Sequence, residues 1–243
     1  MERGTHILVI AYPVQGHINP MLQFSKRLAS KGPRVTFIST SIMSKSILQT
    51  VQTAGSSLNF ETISDGSEDV DHKTEIIDAQ LERFELVVSQ NLAKFIESQK
   101  SSKHPPKILV YDSVLPWALN VARKLGIDGA PFFTQSCAVN AIYYHHVLRG
   151  ALGRIPVEGP LISLPSMPSL GISDMPSFLC DTHSYPALLK LVLNQFSNFQ
   201  EANWLFCNTF DKLEHEYYSL HGLANGAGRQ AEKECPCMRS WIS

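Results

Sequence analysis

Short apolar runs alternate with helix-length segments from His6 to Leu148, and that alternation limits the fold more than any other feature of the chain. The runs are residues 7–12, 35–39, 58–63, 107–111 and 130–134. Strands buried on both faces need nearly continuous hydrophobicity of this kind. Between them lie segments expected to be helical: 20–31, 41–51, 75–97, 117–125 and 138–148. In the longest, Ile77, Leu81, Phe84, Val88, Leu92 and Phe95 recur at spacings of three and four, which puts them on one face of a helix. Strands separated by helices pair in parallel, so the chain is expected to form an α/β, Rossmann-like doubly wound parallel sheet. The expected strand order is 3-2-1-4-5.

In such a sheet, ligands bind at the carboxyl ends of the strands, near the point where the strand order reverses. Two polar residues fall there. His17 follows the first strand in a loop that also holds Gly16, and Asp112 follows the fourth. Asn19 reads as the cap of the next helix and Pro20 as its first residue. Neighbouring first and fourth strands would bring His17 and Asp112 within hydrogen-bonding reach. A carboxylate on one imidazole nitrogen fixes the tautomer and leaves the other nitrogen to take a proton. The residues alone leave simpler readings open. Asp112 before Ser113 equally reads as a cap for the helix at 117–125, and a lone histidine in a loop is more often a hydrogen-bonded or exposed residue than a catalyst.

Other chemistries find little support. The other histidines show no metal-ligand spacing, and no metal site is expected. Cys137, Cys180, Cys207, Cys235 and Cys237 make an odd count and read as reduced thiols. There is no Gly-x-Gly-x-x-Gly after the first strand, no P-loop and no Gly-x-Ser-x-Gly elbow, which argues against a nicotinamide-dependent oxidoreductase. The net charge of -1 carries no basic run for nucleic acid. No apolar run has the length of a membrane span, and none reads as a signal peptide, so a cytoplasmic protein is expected.

Past residue 150 the pattern changes. Five prolines break the stretch 155–176, which reads as a long surface loop. A helix at 186–201, a strand at 204–208 and a helix at 211–217 follow. Residues 217–243 carry no usable periodicity and read as a poorly ordered tail.

Several of these stretches resemble one family. Residues 13–20 (Pro-Val-Gln-Gly-His-Ile-Asn-Pro) are similar to the Gln-Gly-His-x-x-Pro motif near the start of plant family 1 UDP-glycosyltransferases. Ile63-Ser64-Asp65-Gly66, Tyr111-Asp112-Ser113, Leu115-Pro116-Trp117, Thr134-Gln135-Ser136-Cys137 and Cys207-Asn208-Thr209-Phe210 agree with the same family. The branch it resembles acts on carboxylic acids and terpenoids. The resemblance implies that residues 1–216 are the N-terminal, acceptor-binding domain of a GT-B fold. It implies inverting transfer from UDP-glucose, with His17 as base and Asp112 as its partner. UDP-glucose is then a co-substrate, and no cofactor or metal is implied. Gln135, Ser136, Tyr143 and Phe178 would lie near the acceptor, a small phenol, carboxylic acid or terpenoid, and Gly16 near the donor. The family's C-terminal donor domain has no counterpart in these 243 residues, so the chain alone is expected to lack turnover and to self-associate through an exposed interdomain face. The alternative is an acceptor-binding or regulatory fragment without catalysis.

Overall fold

Apolar runs flanked by turn residues form strands here, and the central ones are covered on both sides. The computed structural model of the chain describes residues 4–41, 58–68, 76–150, 152, 155–157, 161–164, 167–209 and 213. It divides into two units, Met1–Thr134 and Gln135–Ser243.

The first unit is built on β1 (His6–Ile10), α1 (Gln15–Ser30), β2 (Arg34–Thr40), β3 (Leu58–Ile63), α2 (Ile77–Gln99), β4 (Pro106–Asp112), α3 (Trp117–Lys124) and β5 (Asp128–Phe133). Its strands lie in the order β3-β2-β1-β4-β5 and every pairing is parallel. This is the doubly wound order expected from the sequence. Ile7, Leu8, Val9 and Ile10 of β1 are buried, as are Leu109 and Val110 of β4, so the core of the sheet lies along these two middle strands. Helices cover both faces. Phe24 of α1 packs on Phe132, with ring centroids 5.0 Å apart. Leu119 of α3 lies over Gly129. Residues 129 and 132 stand an odd number apart on one strand, so they face opposite sides of the sheet.

Gly129 shows how closely α3 approaches. A Cβ built there would come 2.4 Å from Leu119 Cδ1 and 3.6 Å from Tyr111 Cε1. Only a residue without a side chain lets the helix sit at that distance.

The start of α1 departs from the expectation. The helix begins at Gln15, so Asn19 is not its cap and Pro20 lies inside it. The Val14 carbonyl already accepts from the His17 and Ile18 N–H groups, at 2.8 and 2.9 Å, which closes the first turn five residues early. Proline at the sixth helical position leaves the Gly16 carbonyl without its usual donor. Gly16 is exposed, so water takes that place at low cost. His17 therefore sits in the first turn of a helix rather than in a loop.

In the second unit, α4 (Cys137–Arg149) is capped at both ends. Ser136 Oγ accepts the Val139 N–H at 3.3 Å, and Gly150 closes the helix in the left-handed conformation at φ 60°. Within the expected long loop, Ile162 and Leu170 exchange backbone hydrogen bonds as an antiparallel bridge. A short 3-10 turn spans Ile172–Asp174, and α5 spans Ser177–Cys180. The helix expected at 186–201 is shorter: α6 covers Pro186–Asn194, and a 3-10 turn, Phe199–Glu201, follows. Serine and asparagine at 197 and 198 are weak helix formers, and Asn198 takes φ -141°. The break lets Phe196 and Phe199 meet each other and Tyr144, with ring centroids 5.9 to 6.0 Å apart. β6 (Phe206–Cys207) is the last strand described. The helices expected at 41–51 and 211–217, most of the polar loop after residue 68, and the tail 217–243 lie outside the described residues.

Candidate active site

Parallel pairing fixes where the ends of β1 and β4 meet. Ile10 of β1 pairs with Tyr111 of β4, so the residue after β1 is level with Asp112. Asp112 ends β4, and its side chain is fully buried. A buried carboxylate needs donors on both oxygens. Oδ1 accepts the Val114 N–H at 3.3 Å, and Oδ2 accepts the Tyr12 N–H at 3.1 Å. Oδ2 also bonds His17 Nδ1 at 2.8 Å. Asp112 does not cap the helix at 117–125, one of its two sequence readings: Pro116 stands at the cap position of α3, with no side-chain cap. One oxygen shapes the turn that leads into α3, and the other holds the histidine.

The carboxylate only accepts, so Nδ1 carries the hydrogen. Thr134 Oγ1 lies 3.2 Å from the same nitrogen, at the carboxyl end of the next strand. No hydrogen bond among the described residues uses His17 Nε2, and 24% of the side chain is exposed. The neutral ring therefore presents a lone pair at Nε2 to the open side. Burial of the ring disfavours its charged form, but the hydrogen bond that Nδ1 donates to Asp112 and the negative charge of Asp112 together outweigh that and raise the pKa above the ordinary value of 6.5. A histidine so placed accepts a proton and is steadied once it has done so.

Tyr12 completes the surroundings. Its ring meets His17 in an edge-on contact at 5.7 Å, and burial, then the nearby Asp112 charge, raises its phenol pKa and keeps it neutral. The sequence reading missed Tyr12 and Thr134 as site residues. Both stand at carboxyl ends of expected strands, the signal that picked out His17 and Asp112.

Gly16 lies in the first turn of α1, exposed, and a Cβ there would meet nothing within 4 Å. The remaining expected site residues belong to the second unit. Among the described residues, no hydrogen bond reaches the buried Oε1 of Gln135 or Oδ1 of the fully buried Asn140, whose amide donates to the Gln135 carbonyl at 3.1 Å. The Ser136 hydroxyl is occupied as the cap of α4. Tyr143 is buried, and burial, with Cys180 nearby, pushes its phenol up to about 12. Phe178 is half-buried in α5. Among the described residues no cluster of histidine, cysteine or carboxylate side chains could hold a metal ion, and no helix is long and apolar enough to cross a membrane.

The fold and strand order define a Rossmann-like domain of the type found at the N-terminus of GT-B glycosyltransferases. Comparison with solved structures agrees: the rice protein Os79 in complex with UDP superposes with a TM-score of 0.75 at 31% identity, over 89% of this chain and 48% of that one. The curated relatives are plant family 1 UDP-glycosyltransferases, and it is their sequence that this chain resembles. A mogroside I-E synthase from Siraitia grosvenorii is 50% identical over 217 residues, which is 89% of this chain and 47% of the relative. UDP-glycosyltransferase 74E1 from Arabidopsis thaliana is 42% identical over 218 residues, 88% of this chain and 47% of the relative. The chain thus spans about half the length of the curated relatives it matches. No family model matches it.

Proposed function

We propose that residues 1–216 form the acceptor-side domain of an inverting UDP-dependent glucosyltransferase. The observation that carries this reading is the 2.8 Å bond between His17 Nδ1 and the buried Asp112, which leaves Nε2 open at the carboxyl edge of the sheet. His17 Nε2 takes the proton from an acceptor hydroxyl. The acceptor oxygen forms a bond to the anomeric carbon of the sugar from the face opposite the leaving group. The bond from that carbon to the diphosphate oxygen breaks, UDP departs, and the configuration inverts. Asp112 holds the imidazolium until its proton passes to solvent. A carboxylic acid acceptor is already ionised near neutral pH, and His17 then orients it rather than deprotonating it.

Gln135, Ser136, Tyr143 and Phe178 are assigned to acceptor binding, and Gly16 to the neighbourhood of the donor. The orphan oxygen of Gln135 suits a hydroxyl donor on the acceptor. Support for UDP and a small acceptor comes from the rice protein, which is solved with UDP and deoxynivalenol-3-glucoside. Transfer needs donor and acceptor held together, and the portion of the relatives beyond the match is assigned to the donor. These 243 residues alone are therefore expected to bind acceptor without turning over UDP-glucose, and to self-associate.

Calorimetric titration of the chain tests this. Binding of salicylate or of a terpenoid alcohol, weakened by substitution of Gln135, is the expected result. No binding by any phenol, carboxylic acid or terpenoid would remove the acceptor role. Micromolar binding of UDP-glucose would place a donor site in these residues and overturn the division of labour.

A further inference from the structure

The bond between Asp112 and His17 Nδ1 fixes the tautomer only while the ring keeps the face that puts Nδ1 beside the carboxylate. The terminal torsion of histidine is broad and nearly two-fold, and a flip of the ring would take Nδ1 away from Asp112 and put the Cδ2 carbon in its place. The hydrogen bond to Asp112 opposes that flip, and Thr134 Oγ1 lies 3.2 Å from the same nitrogen; a hold on the ring plane adds to both.

The aromatic side chains beside it supply that hold. Phe84 of α2 is buried and meets the Tyr12 ring at a centroid distance of 5.6 Å, with the planes at 68°. Tyr12 in turn meets the His17 ring at 5.7 Å and 73°. The Tyr12 N–H donates to Asp112 Oδ2, the same oxygen that bonds His17 Nδ1. One residue therefore touches both partners of the dyad, its backbone on the carboxylate and its ring on the imidazole.

We propose that Tyr12 is a positioning residue for His17: its N–H sets the Asp112 carboxylate, its ring sets the imidazole plane, and Phe84 buttresses that ring from α2. The catalytic meaning rests on the base reading above; the geometric content stands apart from it. The ring does this work, not the phenol oxygen, so phenylalanine replaces Tyr12 without loss.

The test is the long-range proton–nitrogen spectrum of the histidine rings in the full 243-residue chain. The neutral His17 ring is expected in one form, with the hydrogen on Nδ1. Y12F keeps that spectrum. Y12L loses the single form and shows both tautomers, and F84L moves in the same direction. A Y12L chain that folds and keeps the pure Nδ1–H form overturns the proposal. If Y12L does not fold, nuclear Overhauser contacts between the Tyr12 and His17 rings in the unaltered chain decide: their presence with Y12F unchanged supports the proposal, and their absence overturns it. A wild-type ring without the Nδ1–H form sinks both this proposal and the dyad. Glucose transfer that survives H17A, in a chimera carrying the donor-side half of a relative, sinks the base reading and leaves the tautomer result standing.

Discussion

His17 Nδ1 and Asp112 Oδ2 lie 2.8 Å apart across 95 residues of sequence. The pairing of β1 with β4 makes that contact, and no local sequence element does. Replacing the carboxylate by an amide, D112N, removes the charge and keeps the shape. Burial of the His17 ring then acts with little opposition, and its pKa is expected to fall from above 6.5 to below it. Titration of the ring by NMR in both chains checks this; an unmoved midpoint would mean the carboxylate does not govern His17.

The base reading makes its own kinetic forecast. In a chimera with the donor-side half of a relative, H17A should slow transfer to hydroxyl acceptors by about 100- to 10,000-fold. Transfer to carboxylic acids, which bring no proton to remove, should suffer much less. Because the His17 pKa is raised, the rate with hydroxyl acceptors should climb with pH from 6.5 upward until the ring is neutral. Steady-state rates with a matched phenol and acid, across pH, decide it.

Two histidines give stability opposite slopes with pH. His6 is buried at the start of β1, with Nδ1 on the His104 carbonyl and Nε2 on Thr36 Oγ1, both at 2.8 Å. Its burial lowers its pKa below 6.5, and Arg34 adds to the effect. The unfolded chain then binds the proton more readily, so the His6 contribution is complete above pH 6.5 and is lost as pH falls below it. His17, with its raised pKa, contributes fully below pH 6.5, and its contribution is lost as pH rises through the folded value. Urea midpoints across this range should show H6N flattening the acid side and D112N flattening the neutral side.

The contact of Gly129 with Leu119 predicts a steric cost. G129A would force a methyl to 2.4 Å from Leu119 Cδ1, the end of a fully buried side chain, so that side chain must shift. Overpacking of this kind costs about 1 to 3 kcal/mol. Denaturant unfolding of G129A, L119A and the double variant should give less than the sum of the two single losses.

Tyr111 runs the other way. Its ring is buried in β4, and its hydroxyl has no hydrogen-bond partner among the described residues. An unpaired buried hydroxyl costs about 1 to 3 kcal/mol to desolvate. Y111F should therefore unfold at the same denaturant concentration as the wild type or at a higher one; a clear loss of stability would reveal a partner for the oxygen.

Much of this architecture is legible in the residues. The run Ile7 to Ile10 is apolar throughout because both its faces are covered, and the alternation of strands with helices leaves little choice but parallel pairing. His17 and Asp112 were legible for the same reason, since a strand's end is set by its apolar run. Asn19-Pro20 misled because capping rules are local: Val14 closes the turn earlier, and an exposed Gly16 makes the internal proline tolerable. Thr134 and Tyr12 were hidden in a different way. Each reads as the last residue of a strand, and its part in the site exists only once neighbouring strands are in register. In the second unit, the helix at 186–201 broke after Asn194, where serine and asparagine let two phenylalanines turn inward.

Gly16 occupies a helical position, has an ordinary φ, and leaves open space where a Cβ would stand. Alanine there would gain about 0.5 to 1 kcal/mol of helix stability. A campaign that ranks variants by melting temperature alone would therefore pick this site early. On the donor assignment proposed for it, the same methyl would stand where a sugar nucleotide has to pass. Robustness and turnover would then pull one position in opposite directions, and a selection scheme for sturdier enzymes of this kind would have to hold residue 16 fixed.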